Sequence, residues 1–246
     1  MNMKRVMHIL IWGLLLLYFP VMLGMVGHHQ DDVICSDVMV DVTDSTRTRF
    51  VAGEEVRKAV LGKFDHALGG PVNALDFQAI ETFVEKHSAV KNCEVYNTIE
   101  GVLKIDLVQH HPLFRVFENN RTYYIDENGD QMPTFDHYTA RVLIVSGAIS
   151  GEMDHFIQIA RLFRENPFWR AQFEQMYVKE NGDYVLVPRV GDHLVLLGPP
   201  ERIEEKLRNL KALYKEGLDS REWNRYQVIN LKYKGQVLCS KNRDVI

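Results

Sequence analysis

The sequence predicts an α+β protein: an N-terminal transmembrane helix, a small β-α-α-β-β domain, then a strand-rich domain with an antiparallel sheet and flanking helices. Three observations predict it. One long apolar run occupies Val6–Gly27. Helical and strand periodicities alternate up to Pro112. Beyond it, short strand patterns dominate, punctuated by Asn-Gly and Gly-Asp turns.

The apolar run is long enough to cross a hydrocarbon core of ~30 Å as a helix. Lys4 and Arg5 precede it, and His28, His29, Asp31 and Asp32 follow. Basic residues favour the cytoplasmic side, so the N-terminus is expected inside and the bulk outside. A cleaved signal peptide has a shorter apolar core and a small-x-small cleavage site, and residues 22–27 offer only poor ones. The His28–Asp32 cluster reads as a solvated linker rather than a metal site.

The exported part opens with alternation: Val38, Val40 and Val42 against Asp37, Met39 and Asp41, a half-buried strand. A helix follows from about Phe50–Glu55, with Val56, Val60 and Phe64 as its stripe. The next helix is expected to start near Asn73 or Leu75, carrying Phe77, Ile80 and Val84. Strands are expected at Val90–Ile99 and Val102–Val108. Past the junction, Leu113–Phe117 and Arg121–Ile125 read as a hairpin, and Val142–Val145 as a short apolar strand. A helix from about Glu152 to Arg164 presents Met153, Phe156, Ala160 and Phe163. Residues 173–198 hold two or three strands, and Ile203, Leu207, Leu210 and Tyr214 stripe a last helix. Val228–Leu238 reads as one terminal strand interrupted at Gly235, with Ile229, Leu231 and Tyr233 on one face.

The expected divisions are a cytoplasmic tail at 1–5, the transmembrane helix at 6–27, a linker at 28–33, domains at 34–110 and 111–240, and a tail at 241–246.

Composition narrows function. The chain has 246 residues and a formal net charge of −4, which argues against nucleic acid as a partner, since phosphate neutralisation needs a basic surplus. No GxSxG, HExxH or P-loop pattern occurs. No cofactor, metal or catalytic set is therefore expected. His110–His111 reads as junction structure, Asp126 as a turn residue, and Glu54–Glu55 and Glu204–Glu205 as solvated helix faces. Of Cys35, Cys93 and Cys239, at least one cannot pair within the chain. Cys35 and Cys93 read as small buried hydrophobes or, in an oxidising compartment, as a bridge.

Several stretches taken in order resemble the FtsQ/DivIB cell-division family. "DVMVDVTDSTRTRFVAGEEVRKAV" resembles the first strand and helix of its POTRA domain, and "HSAVKNCEVYNTIEGVLKIDLVQHHPLFRVF" the second and third strands. "YYIDENGDQMP" resembles the aspartate-x-x-glycine hairpin that opens its C-terminal domain. "NGDYVLVPRVGDHLVLLGPPERIEEKLRNLKALY" and "YQVINLKYKGQVL" resemble its later strands and helix. Gln109-His110-His111-Pro112 departs from the acidic-then-basic junction common in the family.

The resemblance implies a non-catalytic divisome scaffold in the inner membrane at the septum. It implies FtsB/FtsL-like coiled-coil partners and a role in controlling septal peptidoglycan synthesis. By motif position the partner-binding residues are Lys232, Tyr233, Gly235 and Gln236. If the terminal strand lies at a sheet edge, Lys232, Lys234 and Lys241 either guard it or select an acidic partner strand. Alternatives are a POTRA-containing envelope assembly or secretion component, and an anchored extracytoplasmic cell-wall enzyme. The first usually carries several POTRA units or a long barrel, and the second needs a convergent acid, base or nucleophile set.

Overall fold

The computed structural model describes residues 3–28, 33–43, 49–149, 153–218 and 223–241, with side chains of the first helix limited to His8 and residues 11–22. The chain divides into two compact units, Met1–Gln109 and His110–Ile246.

The apolar run lies within helix α1, Met3–His28, which carries Pro20 inside it. Side chains described there, Trp12, Leu14, Leu16 and Leu17 among them, are exposed. Among the described residues no helix is long and apolar enough to cross a membrane. The expected helix over 6–27 is a helix in the structure. The expected linker and tails fall largely outside the described residues, at 1–2, 29–32 and 242–246.

The rest of the first unit holds β1 (Asp37–Val42), α2 (Gly53–Lys63), α3 (Phe77–Glu85), β2 (Val90–Asn97) and β3 (Val102–Gln109). The strand order is β1-β3-β2, with β1 parallel and β2 antiparallel to β3. Leu103, Ile105 and Leu107 of β3 are fully buried, and Val38, Val60 and Ile80 are buried with them. Arg57 of α2 donates to the Val38 carbonyl at 2.8 Å and to Asp37 Oδ1 at 3.0 Å, tying helix to strand. Helix α3 starts at Phe77, later than the spacing alone implies. A 3-10 turn takes Val72–Ala74, and the Asp76 carboxylate caps the helix by accepting from Ala79 N at 3.0 Å. Phe64 terminates α2 in extended conformation and is not part of its stripe. Cys35 and Cys93 are both buried free thiols. Burial pushes the Cys93 thiol up to about 12, so it serves as a small hydrophobe.

In the second unit one sheet collects β4 (Pro112–Glu118), β5 (Arg121–Asp126), β6 (Gln131–Pro133), β7 (Leu143–Gly147), β8 (Phe173–Val178), β9 (Tyr184–Pro188), β10 (Leu194–Gly198), β11 (Val228–Asn230) and β12 (Leu238–Ser240). Their order is β12-β11-β10-β9-β8-β7-β4-β5-β6. The sheet is mixed, which corrects the antiparallel expectation: β4–β7, β7–β8 and β10–β11 are parallel. The reason is connectivity. Helices α4 (Met153–Glu165) and α5 (Pro167–Gln172) lie between β7 and β8, and α6 (Ile203–Ala212) between β10 and β11. A crossover helix returns the chain to the end where the previous strand began.

One core joins Phe156, Ile159, Ala160 and Phe163 of α4, and Leu207 and Leu210 of α6, to Phe114, Val145, Met176, Leu186 and Leu197 of the strands. Phe163 stacks on Phe173 with ring centroids 5.3 Å apart, and Phe156 on Tyr184 at 5.5 Å.

Two buried polar groups stiffen the unit. Asp126, at the β5–β6 turn, accepts from His110 Nδ1 at 2.8 Å, Asn128 N at 2.8 Å and Asp130 N at 2.9 Å. Burial alone would raise its pKa; the bonds from His110, Asp130 and Asn128 outweigh that and lower it. His193 is 1% exposed, bonds Tyr214 Oη through Nε2 at 2.7 Å, and faces the stacked Tyr214–Trp223 pair. Burial lowers its pKa, offset in part by the Trp223 backbone and Asp192.

Asp126→Ala leaves His110 and two backbone N–H groups without their acceptor, and is expected to cost about 2–3 kcal/mol in urea unfolding; a loss under ~0.5 kcal/mol would contradict the hairpin role. For His193 the folded-state pKa lies below the unfolded value. The unfolded chain therefore takes up a proton first as pH falls through ~6.5. Its contribution is fully present above that pH and lost below it, by up to about 1.4 kcal/mol per pH unit. Thermal melts from pH 7.5 to 5.5 should show the loss, and His193→Phe should flatten it.

Candidate functional site

The terminal segment folds back on itself. The expected single strand Val228–Leu238 is two strands, β11 and β12, joined by a turn over 231–237. The Asn230 carboxamide ends β11: its Oδ1 accepts from Lys232 N at 3.0 Å, a local bond that competes with the ladder. Gly235 sits at φ 68°, the left-handed region, and Gln236 N closes the turn on Tyr233 O at 3.3 Å.

As a result β11 is an interior strand. It pairs parallel with β10 on one side and antiparallel with β12 on the other, and Val228, Ile229 and Asn230 are all buried. The edge belongs to β12. Ser240 O accepts from Gln227 N at 2.8 Å and so faces β11. Backbone groups alternate along an antiparallel strand, so the N–H and C=O of Cys239 point away from β11, off the sheet. Leu238 is 47% exposed, while the Cys239 side chain packs toward the core.

Lys232, Tyr233, Gly235 and Gln236 are brought together in the turn beside this edge, not on the edge strand itself. Tyr233, expected to share a face with Ile229 and Leu231, is 56% exposed while those two are buried, because the ladder stops before it. Gln236 is exposed. A Cβ on Gly235 would meet nothing within 4 Å, so backbone conformation, not close approach of another chain, demands glycine there. Lys232 is committed within the chain. Its Nζ donates to Asp183 Oδ2 at 2.7 Å, and its stem lies over Gly198, where a Cβ would fall 2.6 Å from Lys232 Cγ. Asp183, in the β8–β9 hairpin, is also held by Asn181 Nδ2 at 3.2 Å. Nearby, buried Lys206 donates to Pro199 O at 2.8 Å. Burial, with Arg202 next, lowers its pKa.

Sequence reading missed the Cys239 backbone, Asn230 and Asp183. The clue was present: Gly235 stands between two short apolar runs, Val228–Leu231 and Val237–Cys239, the pattern of a hairpin rather than of one strand.

In the first unit β1 and β2 are the edge strands of the sheet. His110, Asp126 and Asp130 place ligand atoms within 4.8 Å of one another, the one such group of three among the described residues. The bonds that Asp126 accepts there make it the lock of a turn.

Residues 33–108 match the POTRA-like domain family. Residues 111–240 match the family described as FtsQ/DivIB, C-terminal related. No curated protein matches the chain. The second match covers more than half of the 246 residues and includes the whole mixed sheet with its β12 edge. The chain belongs to the FtsQ/DivIB family of cell-division proteins.

Proposed function

We propose that the chain is a non-catalytic divisome scaffold that binds FtsB/FtsL-like coiled-coil partners by strand addition at β12, and thereby helps control septal peptidoglycan synthesis. The observation that supports this best is the outward-facing Cys239 backbone on a strand paired along only one side. Such an edge offers main-chain hydrogen bonds for affinity, and side-chain contacts beside it supply specificity. Exposed Tyr233, Gln236 and Leu238 provide those contacts. Lys232 has a different part in this reading: pinned to Asp183, it holds the turn in place.

Helix α1 is the anchor in the inner membrane, N-terminus inside, on the strength of Lys4 and Arg5 before the apolar run. The second unit then works in the periplasm, and the protein gathers at the septum. A fluorescent fusion is expected to form a mid-cell band, whereas even envelope labelling would count against a division role.

Strand addition has a direct test. Cys239→Pro removes an N–H that points off the sheet, and proline is tolerated at an edge where its nitrogen faces outward. Pull-down of a co-expressed FtsB-like partner by the full chain should fall at least tenfold, with the thermal melt little changed. Tyr233→Ala should weaken capture several-fold, and Asp183→Asn should weaken it less by loosening the turn. Equal capture by wild type and Cys239→Pro would eliminate β12 as the docking strand.

A further inference from the structure

Away from β12, the second unit carries a concentration of positive charge in a chain whose net charge is −4. Arg141, Arg164, Arg170 and Arg189 surround one pocket of about 60 Å³, and no acidic residue lines it. Topology puts them there. β4, β7 and β8 run parallel and begin at this end of the sheet, and β9, antiparallel to β8, finishes at it. Arg141 lies two residues before β7, and Arg189 immediately follows β9. Arg164 lies in the last turn of α4, and Arg170 in α5.

The arginines differ in occupancy. Arg164 binds Glu127. Arg141, Arg170 and Arg189 have no side-chain hydrogen bond or ion pair among the described residues. Three exposed arginines thus line the pocket with no ion pair of their own among the described residues. The pocket floor is apolar: Leu113, Leu143, Phe163 and Phe173 are all buried.

We infer that this pocket binds an acidic, glutamate-bearing peptide segment of a partner protein. Size and floor favour a carboxylate on a short aliphatic stem. A cavity needs about 10–15 Å³ to hold one water, so the pocket has room for a carboxylate with the methylene before it. A buried methylene is stabilised by leaving water on such a floor, a gain a bare phosphate lacks. Guanidinium forks match carboxylates in bidentate fashion, and further acidic residues of the segment would neutralise the remaining arginines. The acidic balance of the rest of the chain repels such a segment elsewhere and steers it here. The pocket shares no residue with β12, so this inference stands or falls separately from strand addition.

The test uses the full chain in neutral detergent and a fluorescein-labelled peptide, Leu-Glu-Glu-Leu-Glu-Glu, read by fluorescence anisotropy. Saturable binding is expected, weakening as salt rises. The variant Arg141→Gln/Arg170→Gln/Arg189→Gln should bind at least tenfold more weakly with an unchanged thermal melt. The corresponding triple lysine variant, which keeps charge but loses the planar fork, should fall between. A peptide with glutamine for glutamate should not bind. Inorganic phosphate and dihexanoyl phosphatidylglycerol should displace the peptide poorly. The inference is overturned if the acidic peptide does not bind, if the triple glutamine variant binds it equally, or if phosphate or the lipid occupies these arginines in preference to the peptide.

Discussion

A sheet that does not close must end in strands with backbone groups unpaired on one side, and most of the second unit is arranged around that fact. At one end the outermost strand is β6, three residues long and ending in Pro133, which has no N–H to donate. At the other end is β12, whose central residue turns both N–H and C=O off the sheet. The two edges are therefore unequal: one is blunted and one is open. For β12 to be the open edge, β11 has to lie fully inside. That in turn needs a stop at Asn230, a left-handed Gly235, and a lysine tether to Asp183. A side-chain cap, a left-handed glycine and one long-range ion pair thus decide which backbone faces outward.

Helices pack one face of this sheet into a single core. Aromatic side chains of α4, α5 and the adjoining strands stack in sequence, and α6 adds Leu207 and Leu210 before its chain continues into Tyr214. Parallel crossovers carry a second consequence. They place the starts of β4, β7 and β8 side by side, and basic residues scattered over nearly fifty positions meet at one end of the sheet. Strand addition and anion recognition would then use different parts of one framework, the first through main-chain hydrogen bonds and the second through side-chain charge.

Much of this was legible from local pattern. The alternation in β3 separated Leu103, Ile105 and Leu107 from the wet face, and these three are fully buried. The stripe Phe156, Ala160, Phe163 marked the core side of α4. Ordered motifs pointed to the FtsQ/DivIB family, which the matches over 33–108 and 111–240 support. Local pattern failed where a polar side chain interrupts an apolar run. Asn230 looked like an outward residue of a continuous strand, yet its carboxamide ends that strand. Asp76 displaced the start of α3 for a related reason, since a cap selects one N-terminus among several that the periodicity permits.

By itself the sequence determined where apolar faces lie along each element, because side-chain direction follows from a period of 2 or 3.6 residues within a single segment. It also determined the order of motifs on which family membership rests. Only the tertiary structure decided strand order, the mixed direction of the sheet, the interior position of β11 and the pairing of Lys232 with Asp183, forty-nine residues away. Those features are hydrogen bonds and ion pairs between distant segments, and no local periodicity encodes which partner a strand or a charge will find.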